Sequence, residues 1–144
     1  MRLICVCVPA FSLVARQRLD PAFGERPVVI LDGLGTAAKV VAVSRAALAI
    51  GVRPGQSLPQ ARAISPRLRH EVRDGDVEGA AQNALLELAE RFSPRIEDAR
   101  PGVVYLDAEH CRDEKGVCSA LLRSCEKFGF PAKVGLAACR VPVR

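Results

Sequence analysis

The stretch AAQNALLELAERFSPRIEDARPGVVYLD (80–107) holds the pattern that decides the fold. Ala81, Leu85, Leu88 and Phe92 recur at helical spacing, so its first half reads as an amphipathic helix. The period then changes. Arg95–Ala99 and Val103–Leu106 read as two strands around a turn containing Pro101–Gly102. Downstream, Gly116–Phe128 reads as a second helix, with Cys118, Leu121, Cys125 and Phe128 on one stripe, and Lys133–Ala137 reads as a last strand. Upstream, LICVCV (3–8) is an almost uninterrupted apolar run closed by Pro9, the pattern of a central strand covered on both faces.

The sequence between that first strand and the long helix has a different character. Phe11, Val14, Ala15, Arg18 and Leu19 follow helical spacing until DPAFG ends the helix. VVIL (28–31) and KVVAV (39–43) flank DGLGTAA, and Asp32–Gly33 is a turn dipeptide, so a short hairpin is expected. Ser44 fits an N-cap for RAALAI, with Gly51 at its C-terminal stop; Pro59–Ile64 fits a second short helix, with Pro66 past its end. Removing this insert leaves strand, helix, strand, strand, helix, strand. The expected fold class is therefore α+β: a ferredoxin-like (split β-α-β) core with an inserted small helical and hairpin subdomain.

The chain has 144 residues and is 49% hydrophobic, with no Trp, one Tyr and five Phe. At that size folding hides roughly two-thirds of the unfolded surface, so an aliphatic core is expected and extended disorder is not. No stretch approaches the roughly 20 apolar residues of a membrane span. MRLICVCVPAF runs directly into charged sequence and reads as a strand rather than a signal peptide, which makes the soluble interior of a cell the expected location. Six cysteines, at 5, 7, 111, 118, 125 and 139, form no C-x2-C knuckle and are expected as buried free thiols. His70 and His110 are too far apart to suggest a metal or Cys–His site. GLGTAA superficially matches a dinucleotide loop, but a strand follows it, so a hairpin turn is the better reading.

Charge is the more informative feature. The net charge is +5, from 17 Arg and 4 Lys against 16 acids. Residues 15–73 carry ten basic and four acidic side chains; residues 74–144 carry ten and twelve. Arg45, Arg53, Arg62, Arg67, Arg69 and Arg73 face only Glu71 within their own stretch. Guanidinium groups match phosphate geometry, so a salt-sensitive hold on a nucleic-acid backbone is one reading and a solvated face is the other. Aromatic stacking platforms are missing, which argues against a dedicated single-strand binder.

Three ordered segments carry a family resemblance: LICVCVPAFSLVAR (3–16), VVAVSRAALAIGVRPGQSLPQARAISP (40–66), and RFSPRIEDARPGVVYLD (91–107) continuing to AKVGLAACR (132–140). Together they resemble the N-terminal part of the Y-family (DinB/UmuC-like) translesion DNA polymerases, and more closely the ImuB-type branch. The resemblance implies a palm over residues 1–12 and 76–144 and fingers over 13–75. It also implies that the thumb and little finger of the family are absent from this chain.

In active members the first strand carries D-x-D-A-F. Its aromatic matches Phe11, which sets Cys7 and Pro9 at the aspartate positions and Ser12 at the sugar-screening position. S-P-x-V-E-x-x-S-I-D-E-A-Y-L-D lies without a gap on Ser93–Asp107, so the Asp-Glu pair falls on Gly102 and Val103, and Asp107 matches a non-catalytic Asp. The fingers motif Y-E-A-R falls on Arg45, Ala46, Ala47 and Leu48; Arg140 falls where the family carries Lys. Two-metal nucleotidyl transfer needs paired carboxylates, and these residues supply none.

The implied protein is therefore a non-enzymatic accessory module of DNA repair and damage-induced mutagenesis, with no metal or other cofactor and no membrane. Its expected partners are an active polymerase, recombinase-like factors and, through parts outside this chain, a sliding clamp. DNA would be bound weakly and non-specifically through Arg45, Arg53, Arg62, Arg67 and Arg140, in the cytoplasm and at the nucleoid. A scaffold without DNA contact, docking through the hairpin at 28–43 or a sheet edge, and a residual polymerase are the alternatives.

Overall fold

The apolar runs and helical stripes form elements in the expected order, with one strand more than the sequence suggests. The computed structural model describes residues 2–109 and 111–137. Its elements are β1 (Leu3–Cys7), α1 (Phe11–Leu19), a 3-10 turn (Pro21–Gly24), β2 (Val28–Leu31), β3 (Val40–Val43), α2 (Arg45–Ala49), α3 (Leu58–Ile64), β4 (Arg69–Val72), α4 (Gly75–Glu90), β5 (Ile96–Arg100), β6 (Val103–Asp107), α5 (Glu114–Lys127) and β7 (Lys133–Ala137). They form two units, one holding the residues up to Pro9 and from Gly79 onward, the other holding Ala10–Glu78.

The discontinuous unit has a four-stranded sheet in the order β5-β6-β1-β7, antiparallel throughout. With α4 and α5 this is the split β-α-β arrangement. β1 lies between β6 and β7, as its apolar run requires. Ile4, Val6, Val104 and Leu106 are buried on alternate strand positions, and Leu85, Leu88, Leu121 and Cys125 are among the buried helix positions. Phe128 departs from its expected place on the α5 stripe: it is 44% exposed and lies under Arg91, 5.4 Å from the ring centroid. The reason is local. Gly129 takes φ +84°, Gly129 N donates to Glu126 O, and Phe130 N donates to Cys125 O at 2.7 Å, a Schellman stop that turns the chain back. Phe130, not Phe128, becomes the buried aromatic.

The inserted unit is built on β2, whose four residues are all buried. Val29 and Leu31 pack with Val40, Ala47, Val52, Ala61 and Leu68, while Val28 and Ile30 pack with Leu13, Phe23 and Ala42. β3 pairs antiparallel to β2, and β4 pairs parallel to β2 on its other side. RHEV has no apolar alternation, so β4 is a strand only because β2 offers a free ladder edge. The hairpin loop is wide rather than tight: Asp32 N donates to Lys39 O at 2.9 Å, and Asp32 Oδ1 accepts from Lys39 N at 2.9 Å. Ser44 Oγ accepts from both Ala47 N and Val28 N and donates to Arg26 O, so one buried hydroxyl caps α2 and fixes the entry to β2. α3 opens with a full capping box between Ser57 and Gln60.

The thiols are less buried than expected. Cys125 alone among the described cysteines is fully buried; Cys5, Cys7, Cys111 and Cys118 are free and half-buried. Cys139, His110 and Arg140 lie outside the described residues. No described helix is long and apolar enough to cross a membrane.

Candidate functional site

The positions that the family resemblance marks as catalytic come together at one end of the β1–β6 ladder. Cys7 pairs directly with Val103, and Val8 N donates to Gly102 O at 2.7 Å. On the other side of β1, Cys7 pairs with Lys133 of β7; on the far side of β6, Val103 pairs with Arg100 of β5. Directly paired residues share a sheet face, so Val103, Cys7 and Lys133 form one row, which Arg100 joins through a register shift in β5 that skips Ala99 and sets Arg100 opposite Val103. The next row on that face contains Glu97, Tyr105, Cys5 and Gly135.

Electrostatics agree with this register. Burial pushes the Cys5 thiol above its ordinary value, the neighbouring Cys7 adds to the rise, and the Arg100 guanidinium opposes it. Arg100 thus lies near enough to act on the Cys5 thiol. Hard divalent cations take oxygen ligands, and a two-metal site needs carboxylates that hold both ions. A thiol, a glycine and a valine flanked by an ammonium and a guanidinium do not fit that group. Among the described residues, no three His, Cys, Asp or Glu side chains gather into a cation site.

The turn at this site is held by a residue that sequence reading passed over. Gln82 is 8% exposed on α4. Its Oε1 accepts from Gly102 N at 2.8 Å, while its Nε2 donates to Asp98 Oδ1 at 2.8 Å and Arg100 O at 3.1 Å. One amide therefore fixes both sides of the β5–β6 turn, where Gly102 has φ +82°. At the other end of the hairpin, the single Ser93 hydroxyl proton is shared between Arg95 O and Asp107 O, each 3.0 Å from Oγ, and Oγ accepts from Arg95 N. Ala10, just after the Pro9 position, also has a positive φ, +52°, and its carbonyl starts α1 by accepting from Leu13 N and Val14 N.

The arginines singled out from sequence lie in the inserted unit in different circumstances. Arg45 begins α2, exposed and without a side-chain partner among the described residues. Arg53 is exposed, but its Nη1 donates to Leu48 O at 2.9 Å and Val52 O at 3.2 Å. Arg62 lies 2.9 Å from His70 Nδ1. Arg67 is exposed and has no partner among the described residues. Leu48, at the phosphate-clamping position of the family motif, is 44% exposed. Gln82, Arg100 and Lys133 were not legible as site residues, because their place depends on which strands and helix become neighbours.

Solved structures share this fold. The crystal structure of DinB from Sulfolobus solfataricus superposes with a TM-score of 0.79 at 22% identity, over 97% of this chain and 43% of that one. A post-insertion binary complex of Dbh DNA polymerase gives a TM-score of 0.86 at 23% identity, over 97% and 43% of the two chains. An insertion ternary complex of Dbh DNA polymerase gives 0.82 at 22%, over 99% and 44%. The chain thus spans less than half the length of each. No curated protein matches it in sequence. Residues 6–142 match the impB/mucB/samB family, a span that contains every motif quoted above except the first few residues of the opening strand, and the chain belongs to that family.

Proposed function

We propose that this chain is a non-catalytic accessory module of DNA repair by translesion synthesis, of the ImuB type, that holds protein partners and touches the DNA backbone. The row Arg100–Val103–Cys7–Lys133 carries the reading. Nucleotidyl transfer by two metals depends on carboxylates at the end of this ladder. Here cations flank neutral side chains, so a divalent ion would meet repulsion and no carboxylate within the row, the one acid of the neighbouring row, Glu97, standing opposite Tyr105. The fold is that of solved DinB and Dbh polymerases, which supports a place in lesion-tolerant DNA synthesis.

Backbone contact is supported by the charge of the inserted unit and by the guanidinium of Arg45, which has no side-chain partner among the described residues. Arg53 and Arg62 add charge but share their donors with the protein. Two to four neutralised phosphates would make affinity fall roughly 10- to 150-fold between about 50 and 200 mM salt. Anisotropy of a labelled primer–template measures this. A flat salt dependence, or no binding at low salt, rejects the DNA contact, and nucleotide incorporation above background with Mg2+ or Mn2+ rejects the non-catalytic assignment.

A further inference from the structure

A cleft of about 660 Å³ opens in the inserted unit, between the 3-10 turn after α1 and the segment leading into β4. Arg26, Arg67 and Arg69 line it, together with Asp20, Glu25 and Phe23. Phe23 is 7% exposed, and two guanidiniums cover its ring: Arg69 at 5.3 Å and Arg16 at 5.7 Å from the centroid. Glu71 sits between them, 3.4 Å from Arg16 and 3.9 Å from Arg69. Arg16 also donates to Val72 O at 3.0 Å, so it is engaged internally. Arg69 is held by ring and carboxylate, but its contact to Glu71 is through Nε at a distance too long for a hydrogen bond. Its terminal nitrogens keep their donors. Arg26 and Arg67 have no side-chain partner among the described residues. Three guanidiniums thus open on one cleft, one of them held in place by stacking.

We propose that this cleft docks an acidic peptide segment of a protein partner, which deepens the accessory-module reading by naming the chemistry of one partner. Charge placement selects a peptide over a nucleic-acid strand. Asp20 and Glu25 line the same cleft, and a strand carrying a charge every ~3.4 Å would be driven against them. Phe23 lies beneath guanidiniums and cannot stack on a base. A peptide varies its charge along its length. Its Asp and Glu side chains can accept the paired donors of Arg26, Arg67 and Arg69, while neighbouring Lys, Ser or backbone N–H groups meet Asp20 and Glu25.

The test uses the whole chain, isotopically labelled, and a fluorescent pool of short peptides with Asp or Glu at alternating positions. Oligo-dT of matched net charge is the competitor. Selected peptides are expected to bind at low salt and to shift the amides of residues 20–28 and 65–69. Affinity should drop by about tenfold or more in Arg26→Glu/Arg67→Glu and stay unchanged in Arg123→Glu, an exposed site in the other unit. Arg26→Ala/Arg67→Ala, checked by circular dichroism, gives the same reading if charge reversal impairs folding. Binding no tighter than that of neutral peptides, insensitivity to both double variants, or displacement by oligo-dT at the same amides overturns the proposal. None of these outcomes touches the metal chemistry of the β1–β6 ladder, so failure here and failure of the accessory reading are separable.

Discussion

Lys133 stands directly across the β1–β7 ladder from Cys7. An aspartate placed at position 7 would therefore find an ammonium as its cross-strand neighbour, and opposite charges so placed stabilise each other by roughly 0.2–1 kcal/mol. Cys7→Asp alone is expected to gain no Mn2+ affinity, because the new carboxylate pairs with Lys133. Cys7→Asp/Val103→Glu/Arg100→Ser/Lys133→Ser is expected to gain it, read by isothermal titration. Equal Mn2+ affinity in the single and quadruple variants would show that the flanking cations do not govern the site.

Gln82 is the support of the β5–β6 turn, and its loss strands a buried donor. Gln82→Ala leaves Gly102 N without its acceptor and removes both bonds to β5. A cost of about 2–3 kcal/mol is expected from an unsatisfied buried amide plus the lost side-chain bonds. Urea denaturation measures it, and the Gly102 amide should exchange much faster than in the parent protein. A change within about 0.5 kcal/mol would mean that the turn holds itself.

Two positive-φ residues make opposite predictions. Gly102, at φ +82°, tolerates no side chain without strain, so Gly102→Asp is expected to destabilise by about 1–2 kcal/mol. Ala10, at φ +52°, already bears that strain, so Ala10→Gly is expected to be neutral or to stabilise by up to about 1 kcal/mol. Thermal denaturation of the pair tests both. The family's acid at position 102 would therefore carry a backbone cost in this chain.

Alkaline pH should weaken the fold through Cys125. Burial pushes this thiol from its ordinary 9.0 up to about 11, with Glu126 adding to the rise. A raised folded value means stability is fully present below pH 9.0 and is lost as pH rises toward about 11. The loss is of order 2–3 kcal/mol at most. Cys5 and Cys118 are shifted in the same direction and add to the slope. Denaturation midpoints between neutral pH and pH 11 should fall, and Cys125→Ala should flatten the curve. In native labelling with a thiol reagent, Cys125, with no exposed surface, should react last among the described cysteines.

The parts of the fold that rest on local pattern were legible before the structure. LICVCV, VVIL and the Leu85–Leu88 stripe carry their own period, and Ser44 announces the helix it caps. What escaped depends on neighbours distant in the chain. β4 has no apolar alternation and exists because β2 pairs with it. Phe128 follows the helical stripe yet is turned outward by the reversal at Gly129. Missing acids at positions 7, 102 and 103 could be read from the resemblance, but the cations beside them could not. Arg100 and Lys133 are 33 positions apart in sequence, and only the strand order β5-β6-β1-β7 sets them on one row.

The central claim, that this ladder end has exchanged metal chemistry for a cationic row, is tested most directly by paramagnetic Mn2+. Titrated into the isotopically labelled chain, Mn2+ broadens amides near any site that holds it. The account predicts that the amides of Cys7, Val8, Gly102 and Val103 broaden no more than those of exposed loops up to millimolar Mn2+. Selective broadening of those four at low Mn2+, reversed by Mg2+, would contradict it.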